Sequence, residues 1–131
     1  MSSISVVIPC FSSGEWLPEL VTRIKNILDT LNKKWEIILI DDASPDEGKT
    51  YHIIQKIAEK NTNVKGFRLQ FNAGQFRALL CGLDKARGDI IVTMDDDLQH
   101  PPEEIPKLIN TLDKEQSIDC VIGKYNTKEH N

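Results

Sequence analysis

Ile90-Ile91-Val92-Thr93-Met94, running straight into Asp95-Asp96-Asp97-Leu98-Gln99-His100-Pro101-Pro102-Glu103, is the stretch that decides the fold. The first five residues are apolar or β-branched and follow Gly88, so they read as a short buried strand. Pro101-Pro102 with Glu103-Glu104 is a helix start, and the pattern predicts a helix from about Pro102 to Leu112. Strand, acidic loop and helix together make one β–α unit. Side chains alternate along a strand, which puts Asp95 and Asp97 on one side of its end and Asp96 on the other. With the amide of Gln99 they offer hard oxygen ligands suited to Mg²⁺ or Mn²⁺. The plainer reading is that one Asp caps the helix. A cap needs one acid, and here three stand in a row. Two like charges ~5 Å apart repel by roughly 3 kcal/mol at an effective dielectric of about 20, so the crowding points to a cation.

Working outward, the same strand–helix alternation fills the chain. Strands are predicted at Ile4 to Ile8 (ended by Pro9), Trp35 to Ile40, Val64 to Gln70 and Asp119 to Gly123. Helices are predicted from Trp16 or Leu17 to Leu31, from Lys49 to Lys60, and from the turn at Asn72–Gln75 to Ala86, with Gly88 as C-cap. Alternation of this kind means βαβ units. The fold class is α/β, a Rossmann-like, mostly parallel sheet with helices on both faces. Ligands of such sheets bind beyond the carboxyl ends of the strands, at the loops starting from Pro9, Asp41, Phe71 and Asp95.

The 131 residues make one domain, 1–123, followed by an unpatterned tail, 124–131. Hydrophobic content of 40% and charged content of 27% describe an ordinary globule. The net charge of −4 argues against nucleic acid as a partner. No apolar stretch reaches the ~20 residues of a transmembrane segment, and no secretory signal precedes the first strand. The expected location is therefore cytoplasmic. Cys10, Cys81 and Cys120 lie far apart among apolar neighbours and read as small buried hydrophobes in a reducing compartment.

Three further motifs bear on chemistry. Asp41-Asp42-Ala43-Ser44-Pro45-Asp46 is a second acidic corner. It either accepts hydrogen bonds from a nucleotide or caps a turn through Ser44 and Pro45. Ala43 to Thr50 nearly matches a phosphate-binding P-loop, which would make Lys49 and Thr50 the working residues of a nucleotide hydrolase. Pro45 lacks an N–H, and Asp46 and Glu47 repel phosphate, so the chemistry argues against it. Asn72-Ala73-Gly74-Gln75, with Arg77 nearby, offers a helix N-terminus to phosphate or is an ordinary turn. His52, His100 and His130 are scattered, and only His100 is near the acidic loop.

Taken together, Val6-Val7-Ile8-Pro9-Cys10-Phe11, Glu36 through Asp46, Asn72-x-Gly74 with Ala78 and Gly82, and Gly88-Asp89 through Asp95-x-Asp97 resemble the family 2 inverting glycosyltransferases. The acidic loop is most similar to the branch that transfers sugars to polyprenyl phosphates, of the dolichyl-phosphate mannose synthase kind. The resemblance implies the GT-A fold of nucleotide-diphospho-sugar transferases, of which this chain carries the N-terminal part. It implies a nucleoside-diphosphate sugar as donor and a polyprenyl phosphate as acceptor. Pro9, Phe11, Glu15, Asp42, Asp95 and Asp96 would contact the nucleotide. Asp95, Asp97 and Gln99 would hold Mg²⁺ or Mn²⁺. The family commonly has an Asn-Glu pair after the first strand, which Phe11-Ser12-Ser13-Gly14 displaces here, leaving Glu15 further along. No catalytic base is assigned, because in relatives it lies beyond the metal site, and an anionic acceptor needs none. In the longer protein the place of work would be the cytoplasmic face of a membrane, on a cell-envelope glycan. A non-catalytic nucleotide-binding module is the remaining alternative, distinguished by lacking metal-dependent affinity.

Overall fold

A computed structural model of the chain describes residues 2–115 and 117–123. Four strands, β1 (Ile4–Cys10), β2 (Trp35–Asp41), β3 (Val64–Arg68) and β4 (Ile90–Thr93), form one sheet in the order β3-β2-β1-β4. Every pairing is parallel. Between them run α1 (Leu17–Asp29), α2 (Lys49–Lys60) and α3 (Gln75–Lys85); a 3-10 turn at Pro102–Glu104 leads into α4 (Ile105–Lys114).

The helices divide unequally. Leu17, Leu20, Val21, Ile24 and Leu28 of α1 join Ile54 and Ile57 of α2 and Ile105 and Ile109 of α4 in one buried cluster. That cluster lies on the sheet face made by Ile4, Val6, Ile8, Ile37, Leu39, Ile90 and Val92. On the opposite face α3 lays Ala78 against Val7, Ile38 and Ile40. The first two crossovers step from β1 to β2 to β3 in one direction. The third passes under the sheet through α3 and returns to the far side of β1. Strand order therefore reverses between β1 and β4, and that reversal opens a crevice at the carboxyl ends of the two strands.

Several sequence expectations need correction. Pro9 does not end β1, which continues to Cys10. Ile4 N–H and Cys10 C=O both point at β2, so by alternation Pro9 faces β4. The pairing with β4 stops at Val7 with Thr93, so the missing N–H costs no ladder bond. Gly88 is not the C-cap of α3. Ala86 ends that helix in an extended conformation (φ −70°, ψ 134°), and Gly88 instead presses on β1. A Cβ there would lie 2.6 Å from the Ser5 backbone nitrogen, closer than packing allows. The segment from Asp119 to Gly123 is not a strand. Its residues pair with no ladder among the described residues, Ile122 is exposed, and the segment borders an apolar trough of about 780 Å³ between β4 and α4. Cys10 is buried as expected, but Cys81 is half-buried and Cys120 exposed; all three are free thiols. The predicted tail and His130 lie outside the described residues.

At the amino ends of the strands, polar groups close on one another. Ser5 Oγ donates to Glu36 at 2.6 Å and accepts from Gly88 N–H at 2.7 Å. Glu36 also takes the Arg87 N–H at 2.7 Å and Lys65 Nζ at 3.2 Å. Burial alone would raise the Glu36 carboxyl, but these donors outweigh it and hold its pKa below the usual value. This end of the sheet is a structural latch. The chemistry lies at the other end.

Candidate functional site

A pocket of about 320 Å³ sits in the crevice where strand order reverses. Pro9, Cys10 and Phe11 line it from the end of β1, Asp42 from the end of β2, and Asn72, Gly74 and Gln75 from the turn into α3. Asp96 closes it from beyond β4. Its volume is at the small end of ordinary ligand pockets.

The loop after β1 is stitched to both acidic corners. Phe11 N–H donates to Asp96 Oδ2 at 2.8 Å, and Trp16 Nε1 donates to the Asp96 carbonyl. On the other side Ser12 N–H donates to Ser44 Oγ at 2.8 Å, and Gly14 N–H to Thr50 Oγ1 at 3.2 Å. The loop thus spans the mouth of the sheet and fixes Phe11, half-exposed, at the rim.

The corner at Asp41–Asp42 is enclosed. Asp41 is buried, takes Ser44 Oγ at 2.6 Å and Ser44 N–H at 3.2 Å, and has Arg68 Nε 3.7 Å away. Asp42, also buried, takes Ala73 N–H at 2.8 Å, Gly74 N–H at 3.1 Å and Asn72 Nδ2 at 3.1 Å. A carboxylate has about four acceptor positions, so Asp42 faces the pocket with one to spare. Of the two readings of Asn72–Gln75, the ordinary turn is the one the bonds support, since the amides of Ala73 and Gly74 are already taken by Asp42.

The P-loop reading fails on geometry. Thr50 is buried, and its hydroxyl donates to Asp46 Oδ2 while accepting from Gly14. Asp46 also accepts the Thr50 N–H at 3.1 Å, in the first turn of α2. The groups that would hold Mg²⁺ and phosphate in a hydrolase are therefore used to start a helix.

The corner at Asp95–Asp97 is open. The alternation expected to put Asp95 and Asp97 on one side stops with the strand at Thr93. Asp95 Oδ1 takes Gln75 Nε2 at 2.8 Å, its Oδ2 lies 3.9 Å from His100 Nε2, and its N–H donates to His100 Nδ1 at 3.2 Å. Asp97 is exposed and accepts the Gln99 N–H at 3.0 Å, a turn closed by Leu98 at φ 63°. Among the described residues no Lys or Arg pairs with Asp95, Asp96 or Asp97. The negative field reaches Cys10: burial pushes its thiol well above the ordinary value, and the charges of Asp96 and Asp41 push it further. Cys10 is thus a neutral wall residue and not a nucleophile.

Of the six residues expected at the nucleotide, Pro9, Phe11, Asp42 and Asp96 meet in the pocket, and Asp95 joins them through Gln75. Glu15 is exposed and is not part of the lining. Asp97 and Gln99 are exposed beside the pocket. Gln75 was missed as a partner of Asp95, and a separation of 20 residues along the chain leaves no periodic signal for it.

No group of three or more acidic, His or Cys side chains converges on a metal position among the described residues. An ion bound here would therefore need ligands beyond these side chains. Mg²⁺ or Mn²⁺ takes one or two carboxylates, with substrate phosphates and water completing the shell.

Comparison with known proteins agrees with this geometry. The family model described as "Glycosyl transferase family 2" matches residues 5–131. An undecaprenyl-phosphate 4-deoxy-4-formamido-L-arabinose transferase from Salmonella choleraesuis (strain SC-B67) is 40% identical over 114 residues, covering 87% of this chain and 35% of the relative. The mannosyltransferase PcManGT from Pyrobaculum calidifontis, solved in complex with GDP-Man and Mn²⁺, superposes with a TM-score of 0.71 at 24% identity. That match covers 83% of this chain and 32% of the other. S. aureus TarS 1-349 in complex with UDP-GlcNAc superposes at 0.65 with 25% identity, over 87% of this chain and 32% of that 1-349 chain. The chain thus spans about a third of the length of each of these three matched chains. Sheet, crevice and sequence agree: the fold is that of the GT-A glycosyltransferases, and the chain belongs to glycosyl transferase family 2.

Proposed function

We propose that this chain is the donor-binding part of a metal-dependent, inverting glycosyltransferase that takes a nucleoside-diphosphate sugar and passes the sugar to a polyprenyl phosphate. The observation that carries the reading is the open acidic wall of the crevice. Among the described residues no Lys or Arg pairs with these carboxylates, which would face the diphosphate, and a dianionic group can approach them only with a cation between. The relative acting on undecaprenyl phosphate supports the acceptor, and the GDP-Man, Mn²⁺ and UDP-GlcNAc complexes of the structural neighbours support donor and metal.

Each part of the chain has a task in this scheme. Pro9, Phe11 and Asp42 border the base and ribose, with Asp42 offering its remaining acceptor position to a donor group of the base. Asp95 and Asp97 would hold Mg²⁺ or Mn²⁺, with Gln99 beside them, and Asp96 holds the wall of the pocket in place through Phe11. When bound, the cation supplies Lewis-acid stabilisation of the negative charge that grows on the departing diphosphate oxygen. An acceptor phosphate is already anionic, so attack from the opposite face of the sugar needs no carboxylate base from this chain. No helix among the described residues is long and apolar enough to cross a membrane. The proposed place of work is the cytoplasmic face of a membrane, reached through the acceptor.

The test is calorimetric titration of UDP and GDP into the protein with and without Mn²⁺. Affinity for one of the two should rise at least tenfold with the metal, about 1.4 kcal/mol. Equal affinities with and without metal for both nucleotides would defeat the reading in favour of a plain binding module.

A further inference from the structure

Gln75 opens α3 directly after Gly74, whose φ of 96° turns the chain into the helix. The start of that helix is fixed by the buried Asp42 carboxylate, which holds the amides of Ala73 and Gly74. From there the Gln75 side chain reaches the end of β4 and donates Nε2 to Asp95 Oδ1 at 2.8 Å. Gln75 is exposed, so packing does not explain its placement.

The chemistry of the donor matters. Asp41 faces the guanidinium of Arg68, which offsets its charge. A carboxamide donor orients a carboxylate and leaves its charge intact for a cation. With His100 accepting the Asp95 N–H, the acid is held from two sides.

We propose that Gln75 is a positioning residue. It aims the Asp95 carboxylate at a divalent cation bound to the donor diphosphate and carries the placement set by Asp42 across the crevice to β4. The inference rests on the donor-binding reading above and names a determinant of that site.

The experiment measures Mn²⁺ affinity by electron paramagnetic resonance in saturating UDP and, separately, GDP, with melting temperatures alongside. Wild type, Gln75→Ala and Gln75→Glu are compared, each also in an Asp95→Asn background. Gln75→Ala should weaken Mn²⁺ binding about tenfold while the melting temperature holds. Gln75→Glu should weaken it further, by adding a like charge beside Asp95. In the Asp95→Asn background the Gln75→Ala loss should disappear, the mark of two groups acting as one. Unchanged Mn²⁺ affinity in Gln75→Ala, or an equal loss with and without the Asp95 carboxylate, overturns the positioning role alone. Wild type taking up no Mn²⁺ with either nucleotide overturns the donor-binding reading, and this inference with it.

Discussion

Two acidic corners face the same crevice and are built in opposite ways. The Asp41 side chain is 1% exposed and that of Asp95 40%. Around Asp41 and Asp42 the donors belong to the fold itself: Ser44, the amides of Ala73 and Gly74, Asn72 and Arg68. Around Asp95 to Asp97 they are fewer, neutral or local. A buried carboxylate must be satisfied within the protein, or its desolvation unfolds the chain. A half-exposed one can wait for a ligand, with water meanwhile screening the mutual repulsion. The first corner holds strand ends and loops in place, and in the proposed function the second would keep its charge for the substrate.

The sharpest way to break this comparison is to remove one acid from each corner. Asp42→Ala orphans the amides of Ala73 and Gly74 in a largely closed site and should cost about 3 kcal/mol of unfolding free energy. That is a large share of the ~5–15 kcal/mol typical of a domain, and a urea melt reads it directly. Asp97→Asn keeps the shape and an acceptor for the Gln99 N–H, so its stability should stay within about 0.5 kcal/mol of wild type. Its cost should fall on Mn²⁺-dependent nucleotide affinity, weakened about tenfold, or ~1.4 kcal/mol by the same calorimetry. Matching stability losses in the two variants would erase the distinction between the corners.

Periodicity made most of the fold legible. The range Lys49–Lys60 was readable to the residue because Ile53, Ile54 and Ile57 fall on one stripe and Asp46 precedes them. The open corner was equally plain, since three acids after a buried strand need no partner elsewhere in the chain to be noticed. The enclosed corner was not. Whether Asp42 faces a nucleotide or a turn depends on Ala73 and Gly74, about 30 residues away, and on which face of the sheet carries α3. Gln75 was invisible for the same reason, and the misread ends (Pro9, Gly88, Asp119) all turn on which strand lies beside them.

A smaller effect separates the corners by pH. Hydrogen bonds from Thr50, first its hydroxyl and then its N–H, hold the Asp46 carboxyl below its ordinary pKa. A depressed folded-state pKa stabilises above the unfolded value, near 3.9 for Asp, and that contribution is lost as pH falls through the folded value. Stability should therefore decline below about pH 4, partly through Asp46 beside the enclosed corner. Asp46→Ala should cost about 1 kcal/mol at pH 7, as loss of a helix-start acceptor does, and flatten the decline between about pH 4 and pH 2. An unchanged acid limb in that variant would locate the responsible carboxylates elsewhere, with Glu36 at the latch as the next to replace.

The smallest effect concerns how the open corner is held. Arg23 of α1 reaches Glu103 at 2.6 Å, with side chains 35% and 48% exposed. Exposed pairs of this kind contribute about 0–1 kcal/mol and weaken with salt, so Arg23→Ala should lower global stability by no more than ~0.5 kcal/mol. The pair nevertheless ties the 3-10 turn that follows the acidic loop to α1, while Trp16 ties Asp96 to the loop before α1. Losing Arg23 should therefore speed amide hydrogen exchange across residues 97–104 without changing it in β1 or β2, where opening requires global unfolding. Faster exchange throughout the sheet would mean that the open corner shares the stability of the enclosed one, and the division between an acid that builds and an acid that waits would fail.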